Sequence, residues 1–273
     1  MGILDVLEQQ DTSTQGSRTY GVVIGVVADN QDPDGLGRVK LRFPWKDDAD
    51  ESTWARIATF MTGRDRGSWF LPEVDDEVLV AFEHGDVQHP VVLGSLWNGV
   101  DTPPENNSDG QNNIRKIKSR SGHELIFDDT SSAEKVTIKS QSGHSITLDD
   151  APGSGKIIIE TAGGHSLTFD DTAGSGKIEL KTSAGVSATL TDVPPSLTVQ
   201  DGSGNTTKLE PSGVTVNAAA KVTITASAVE ITGGMVTVNA GMTTFSGVIQ
   251  AQTVIASAGV VSPMYTPGAG NIW

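Results

Sequence analysis

The sequence contains no cysteine, and only 5% of its 273 residues are aromatic. Without cysteine the chain can form neither disulfides nor thiolate metal sites, so cysteine usage says nothing about the redox state of its compartment. With few aromatic side chains, a single chain can build only a thin hydrophobic core. These absences exclude a disulfide-stapled fold and a cysteine-ligated metal centre.

Long apolar runs and an excess of positive charge are also missing. No run approaches the ~18 apolar residues of a membrane-spanning helix. Between Asp5 and Arg18 the chain lacks the basic and apolar layout of a signal peptide, so we expect synthesis and folding in the cytoplasm. The formal net charge of -15 argues against nonspecific nucleic-acid binding, because that binding requires positive charge to displace phosphate counterions. We therefore expect no nucleic-acid partner.

A repeat dominates the second half of the chain. Gly122, Gly143, Gly164 and Gly185 lie 21 residues apart, and each of the first three copies contains Gly-His followed by alternating apolar residues and Asp-Asp. The alternation predicts two strands per repeat, each with one apolar face. A fixed period of this kind indicates stacked units, none of which buries its own apolar face.

The repeat shortens to 7 residues near the C-terminus. Its apolar pairs stand two residues apart, at Val222/Ile224, Val229/Ile231, Val236/Val238 and Thr243/Phe245. Coiled-coil heptads space apolar residues by three and four, so this pattern excludes a coiled coil and favours strands that wrap an axis. Three chains wound together would bury every inward row and pair every strand edge.

The first hundred residues have a different pattern. Residues 1–17 form a short polar tail, and strand-like segments follow at 20–27, 38–45, 53–59, 77–83 and 90–96. Short strands separated by glycine and proline predict a small barrel of the oligomer-binding (OB) type over residues 18–100. Residues 101–117 are predicted to be a linker, residues 118–261 a β-helical stalk and residues 262–273 a tip.

Several barrel segments together resemble a known family. They are Asp32-Pro33, Gly37 to Trp45, Trp54 to Arg56, Pro72, Asp76 to Phe82, Gly85-Asp86 and Pro90 to Gly94. In this order they resemble the OB domain of contractile-tail spike proteins, which include phage baseplate assembly protein V, the valine-glycine repeat spike of type VI secretion and the spikes of extracellular injection systems. The Ser-Gly-His and Phe-Asp-Asp repeats resemble the start of the spike's stalk.

The resemblance implies an all-β fold in which an N-terminal OB barrel precedes a C-terminal intertwined trimeric β-helix, the needle. It implies a non-enzymatic central spike that punctures membranes, without a cofactor, and that joins hub and tube to a tip cap. The expected partners are two further copies of the chain, a separate hub protein, inner tube and baseplate proteins, and transiently the target membrane. The spike would be assembled in the cytoplasm and exported on contraction.

The C-terminal residues suggest how the tip is completed. Members of the family usually carry a small proline-alanine-alanine-arginine repeat protein as a cap, and the resemblance implies such a cap here. In a chain poor in aromatic residues, Tyr265, Ile272 and Trp273 are expected to form an apolar end on which the cap would dock.

Residues 212–273 contain only two charged side chains, Lys221 and Glu230. Low charge favours passage through lipid, and it equally suits a tightly wound structure with room only for small side chains.

Candidate chemical sites each have a structural alternative. His123, His144 and His165 would gather around a threefold axis and could bind a metal or an anion, but their position beside glycine favours solvated turn residues. Val186 occupies the fourth equivalent position, which supports the turn interpretation. No metal site is therefore predicted.

Other acidic and histidine clusters predict no catalysis. The pairs Asp128/Asp129, Asp149/Asp150 and Asp170/Asp171 are interpreted as turn residues, because neighbours in a strand point to opposite faces. The stretch from Asn30 to Gly35 imitates half of a calcium loop, but Leu41 stands where the loop needs glutamate. His84 and His89 flank Asp86 without a nucleophile.

A second function remains possible from the sequence. Trimeric β-helices also form tail-fibre proteins that bind or depolymerise glycans. Such proteins cluster acidic and aromatic residues in an outer groove, whereas this stalk has few aromatic residues outside its predicted inward rows.

Overall fold

The computed structural model describes residues 18–46, 50–259 and 261, and its regular structure consists of strands and one short 3-10 helix, Glu83–Gly85. The strands are β1 Val22–Asp29, β2 Lys40–Arg42, β3 Arg56–Ile57, β4 Thr62–Gly63, β5 Arg66–Gly67, β6 Glu77–Phe82, β7 Pro90–Ser95, β8 Ile114–Lys118, β9 Glu124–Asp128, β10 Lys135–Lys139, β11 Ser145–Asp149, β12 Lys156–Glu160, β13 Ser166–Asp170, β14 Lys177–Lys181, β15 Ser187–Thr191, β16 Ser196–Gln200, β17 Thr206–Glu210 and β18 Gly213–Asn217. In the described residues, no helix has the length and apolar character needed to cross a membrane.

The N-terminal domain is a curled sheet of five strands in the order β2-β1-β6-β7-β3. The alternation in strand β6 shows how the sheet forms a core. Val78, Val80 and Phe82 alternate with half-buried residues and point into the core. Strand β1 curves over the same core, and a bulge in its pairing with β2 lies between Val27 and Asp29. The buried hydrophobic residues of this core are Val27, Val39, Leu41, Phe43, Ala55, Val78, Val80, Phe82 and Val92.

Two predicted barrel strands are shorter in the structure. The segment 38–45 pairs regularly only over Lys40–Arg42, and the segment 53–59 only over Arg56–Ile57. A separate small hairpin, formed by β4 and β5, follows β3 in the chain. The sequence pattern did not predict this hairpin, because two-residue strands show no measurable alternation.

The second sheet contains eleven strands, β8 to β18, and each strand pairs antiparallel with its neighbour in the chain. The first turn of each 21-residue repeat is tight, and its glycine adopts the left-handed backbone conformation, with φ of +88° at Gly122 and +95° at Gly143. Only glycine adopts this conformation without strain, so the repeated glycines set the strand register. Strand β8 begins at Ile114, inside the range predicted to be a linker.

The C-terminal part of the chain forms a separate unit from Lys221 onward. Among its described residues, 221–259 and 261, the structure has neither strand nor helix, and every side chain is exposed. The 7-residue repeat that predicted wrapped strands therefore has no strand pairing within a single chain.

Candidate assembly surface

One face of the eleven-stranded sheet is mostly apolar, with Arg115 of β8 and Thr207 of β17 as its polar residues, and we call it the stalk face. Its residues form two cross-strand rows. The first row runs through Ile117, Leu125, Ile138, Ile146, Ile159, Leu167, Leu180, Ala188 and Val199. The second row runs through Phe127, Val136, Leu148, Ile157, Phe169, Ile178, Leu190, Leu197, Leu209 and Val214.

The stalk face is exposed in a single chain. Leu148 is 41% exposed and Ile157 is 43% exposed, whereas the core residues of the N-terminal domain are nearly inaccessible. All buried hydrophobic residues of the described chain lie between Val27 and Val92, so none belongs to the stalk face. A sheet is stable when its apolar face packs against a second layer. Among the described residues of one chain, no second layer covers the stalk face.

The opposite face of the sheet is mostly polar, and Ile114, Ile126 and Ile158 are its apolar residues. Along one side of it, Lys135 pairs across the strands with Asp128 and Asp149, and Lys156 pairs with Asp149 and Asp170. The Nζ atom of Lys156 lies 3.1 Å from a carboxylate oxygen of Asp170. Alternating charges across strands stabilise a solvated face. The sheet therefore has one face suited to water and one suited to assembly.

The paired aspartates act in turns and in this charge ladder. Asp128 accepts hydrogen bonds from the backbone and hydroxyl of Thr130, and Thr172 donates to Asp170 in the same way. The threonine hydroxyl lowers the pKa of Asp128, and the Thr172 hydroxyl together with Lys156 lowers the pKa of Asp170 to about 2. Asp129 is directed elsewhere and forms an ion pair with Arg115. The two carboxylates of a pair thus serve different contacts.

The three periodic histidines occupy equivalent positions in successive repeats and are exposed in a single chain. The Nδ1 atoms of His123, His144 and His165 accept hydrogen bonds from the backbone N–H groups of Gln141, Ala162 and Ser183, at 3.3, 3.2 and 3.3 Å. Each imidazole therefore links its own turn to the turn of the next repeat. Among the described residues of one chain, no group of three histidine or acidic side chains could hold a metal ion.

Sequence reasoning missed a hydroxyl that supports each of these turns. The Ser119 Oγ accepts a hydrogen bond from the backbone N–H of His123, and Ser140 does the same for His144. Thr161 and Thr182 occupy the equivalent places in the next two repeats. The 21-residue spacing of these four residues is visible in the sequence, and it could have been used to predict their role in the turns.

The remaining candidate residues have structural roles or lie outside the described chain. Asp32 does not resemble a cation ligand, because it accepts two hydrogen bonds from the Arg38 guanidinium, at 2.7 and 2.8 Å, which hold the pKa of Asp32 well below its ordinary value. His89 Nδ1 lies 3.0 Å from Asp86, beside the short helix that contains His84. The predicted docking residues Tyr265, Ile272 and Trp273 lie outside the described residues.

Comparison with known proteins matches both parts of the chain. A family model of the type VI secretion system and phage-baseplate injector OB domain matches residues 23–97. A model of the phage baseplate V C-terminal trimerisation domain matches residues 156–222 and again residues 177–244. The chain belongs to the phage baseplate V and type VI secretion spike family. The all-β spike fold predicted from the sequence is thereby confirmed.

Individual members of the spike family show the same similarity. The chain is 30% identical over 113 residues to the type VI secretion system spike protein VgrG3 of Vibrio cholerae, covering 38% of this chain and 11% of that protein. It is 31% identical over 119 residues to spike protein VgrG2a of Pseudomonas aeruginosa, covering 40% of this chain and 14% of that protein. The matched regions are thus a small part of these longer relatives.

The match to a trimerisation domain agrees with the exposure of the stalk face in a single chain. The two matches begin at Lys156 and Lys177, which are equivalent residues of consecutive repeats, so the domain model follows the repeat itself. Both cover strands of the sheet whose apolar rows are exposed. A trimerisation domain supplies two further chains, which supports a homotrimer in which the stalk face is covered.

Proposed function

We propose that this chain forms a homotrimeric central spike that punctures a target membrane when a contractile injection machine fires. The observation that carries the proposal is the exposed stalk face in a chain that belongs to a spike family. Three copies would bury the two apolar rows against one another and leave the lysine and aspartate ladder in water.

The C-terminal unit supports an intertwined needle. In the described residues 218–259 of a single chain there is no strand, and the side chains of apolar pairs such as Val222 and Ile224 are exposed. Backbone N–H and C=O groups require partners when apolar side chains are buried around them. Two further chains wound around a common axis would supply these partners and bury the Val, Ile and Phe rows.

The proposed action is mechanical. In a strand-paired trimer, an axial load is shared by many backbone hydrogen bonds, so the needle moves forward without unfolding. The C-terminal segment contains few charges, and this lowers the free energy of entering a lipid layer because burying a charge costs several kcal/mol. The same composition would also allow the three chains to pack closely.

The remaining partners follow from the spike assignment. We place a separate hub protein and the inner tube and baseplate proteins at the barrel end, and a proline-alanine-alanine-arginine repeat cap at the other end. The cap would dock on Tyr265, Ile272 and Trp273. The chain is proposed to be a non-enzymatic part that is assembled in the cytoplasm and exported on contraction. Its described aspartates and histidines have turn and ladder roles that support this view.

Two measurements on the purified full chain test the proposal. Mass determination in solution is expected to give a trimer, and electron micrographs are expected to show a needle with a bulbous base. A monomer would contradict the spike, and so would specific cleavage of cell-surface glycans, which would favour the tail-fibre alternative. The variant Leu148→Lys, which places a charge on the stalk face, serves as the control for a chain that does not assemble.

A further inference from the structure

The hairpin between β3 and β6 exposes apolar side chains that the N-terminal domain does not bury. Phe60 is 96% exposed and Trp69 is 70% exposed, and Met61 and Phe70 are also more than half exposed. Three of the chain's aromatic residues are thus concentrated within 11 positions, in a protein with few aromatic residues. Exposed apolar clusters of this kind indicate an interaction surface. We call residues 60–70 the barrel hairpin.

The barrel hairpin is an ordered element. Its strands β4 and β5 pair antiparallel, and the backbone N–H of Ser68 donates to the carbonyl oxygen of Met61 at 3.0 Å. Trp69 packs against Gly37, where an added Cβ would lie 2.6 Å from the indole ring. Directly after the hairpin, Leu71 packs against the domain core. The backbone of the hairpin and the Trp69 ring are therefore held against the domain.

The hairpin stands beside the base of the stalk face. Glu73, which follows the hairpin, forms an ion pair with Arg120 in the first turn of the stalk, with 2.7 Å between the oxygen and nitrogen atoms. Phe70 lines a concavity of about 480 Å³ together with Ile117, Leu125 and Ile138 of the stalk face. The apolar surface of the hairpin is therefore continuous with the first strands of the stalk face, which precede the residues that the trimerisation model matches.

These two features differ in shape and lie side by side on one chain. A closed threefold ring uses two different patches on each protomer, so that the first patch of one copy meets the second patch of the next. The chain offers a protruding apolar hairpin and an apolar concavity next to it.

We propose that the barrel hairpin of one protomer docks on the next copy of the same chain, at the concavity formed by Phe70 and the base of the stalk face. This inference rests on the proposed homotrimer. The contact would lock the barrel to the stalk of its neighbour, so that the base of the spike turns and advances with the needle as one body.

Photo-crosslinking tests the contact in the full chain. A benzophenone amino acid replaces Phe60 in one variant and Met61 in a second, and Val100, which is 88% exposed in the same half of the chain, is the matched control position. Two differently tagged copies of the chain are co-expressed, so that crosslinks between protomers can be separated from crosslinks within one. After irradiation we expect covalent dimers and trimers from positions 60 and 61, with crosslinked peptides in residues 117–140, and little product from position 100.

The possible results separate this inference from the proposed function. A monomeric mass before irradiation would overturn the homotrimer and this contact together. A trimer that gives crosslinks only within one chain, or crosslinks to the neighbour outside residues 117–140, would overturn the contact alone. Crosslinks that form only after a hub or tube protein is added would also overturn it and would assign the hairpin to that partner.

Discussion

The Nδ1 atom of His144 lies 3.2 Å from the backbone nitrogen of Ala162 and accepts its hydrogen, so one repeat is tied to the next through an imidazole ring. The same bond links His123 to Gln141 and His165 to Ser183. Because Nδ1 is the acceptor, the ring proton of a neutral imidazole must reside on Nε2. The histidines that suggested a metal site therefore have a role within a single chain.

The variant His144→Ala tests this link. Removing the acceptor should weaken protection of the Ala162 amide by ~1 kcal/mol, the usual net value of such a bond, which corresponds to about fivefold faster hydrogen exchange. Exchange measured by mass spectrometry on the peptide that contains Ala162 gives the readout. Val186→Ala is the control, since valine has no side-chain acceptor for the following turn. Unchanged exchange at Ala162 would show that the bond contributes nothing.

A pair of variants on strand β11 tests the two faces of the sheet. Leu148 belongs to the stalk face, and Thr147 points to the polar face. In the trimer, Leu148→Lys would bury an unpaired charge in each chain at a cost of several kcal/mol, so we expect trimers to be lost. Thr147→Lys should leave the trimer intact. Light scattering coupled to size-exclusion chromatography measures both masses, and equal masses would count against the assigned face.

Acid should destabilise the fold through Asp170. The pKa of its carboxyl is lowered from an ordinary 3.8 to about 2 by the Thr172 hydroxyl and Lys156. A carboxylate with a depressed folded-state pKa contributes stability that is complete above the unfolded value and is lost as the pH falls through the folded value. Stability should therefore decrease between about pH 4 and pH 2.

Denaturant unfolding at a series of pH values checks this dependence. In Asp170→Asn the loss of stability over that range should be smaller than in the natural sequence. Asp171→Asn is the matched control, because the backbone of Asp171, rather than its carboxylate, pairs with Gly155. If both variants follow the natural profile, Asp170 is not the group responsible.

Alanine substitutions at Gly37 and at Gly35 distinguish the effect of backbone strain from that of a steric clash in the N-terminal domain. Both have left-handed φ angles, +71° and +67°, but only an added Cβ at Gly37 meets the ring of Trp69. We expect Gly35→Ala to destabilise by about 1 kcal/mol through the backbone alone. Gly37→Ala should destabilise more, since the indole must also move. Unfolding followed by tryptophan fluorescence compares the two, and equal losses would argue against the Trp69 contact.

Prediction from sequence succeeded where a pattern repeats. Strict alternation around Leu125, Ile146 and Leu167 predicted the stalk strands within a residue or two, because each strand has one apolar face and one polar face. The short strands of the curled sheet were predicted less well. There, a bulge between Val27 and Asp29 interrupts the pairing of β1 with β2, and a turn at Pro44 and Trp45 follows β2, and alternation along the sequence predicts neither feature.

The sequence alone determined the all-β class, the repeat, the turn glycines and the family, since these depend on local alternation and on motifs that stand in order along the chain. Only the tertiary structure decided that the stalk face lies uncovered, that the histidines join consecutive repeats and that Phe70 stands beside Ile138. These facts depend on which strands become neighbours and on what lies above each face. Contacts between residues far apart in the chain leave no pattern in the local sequence, so only the folded structure shows them.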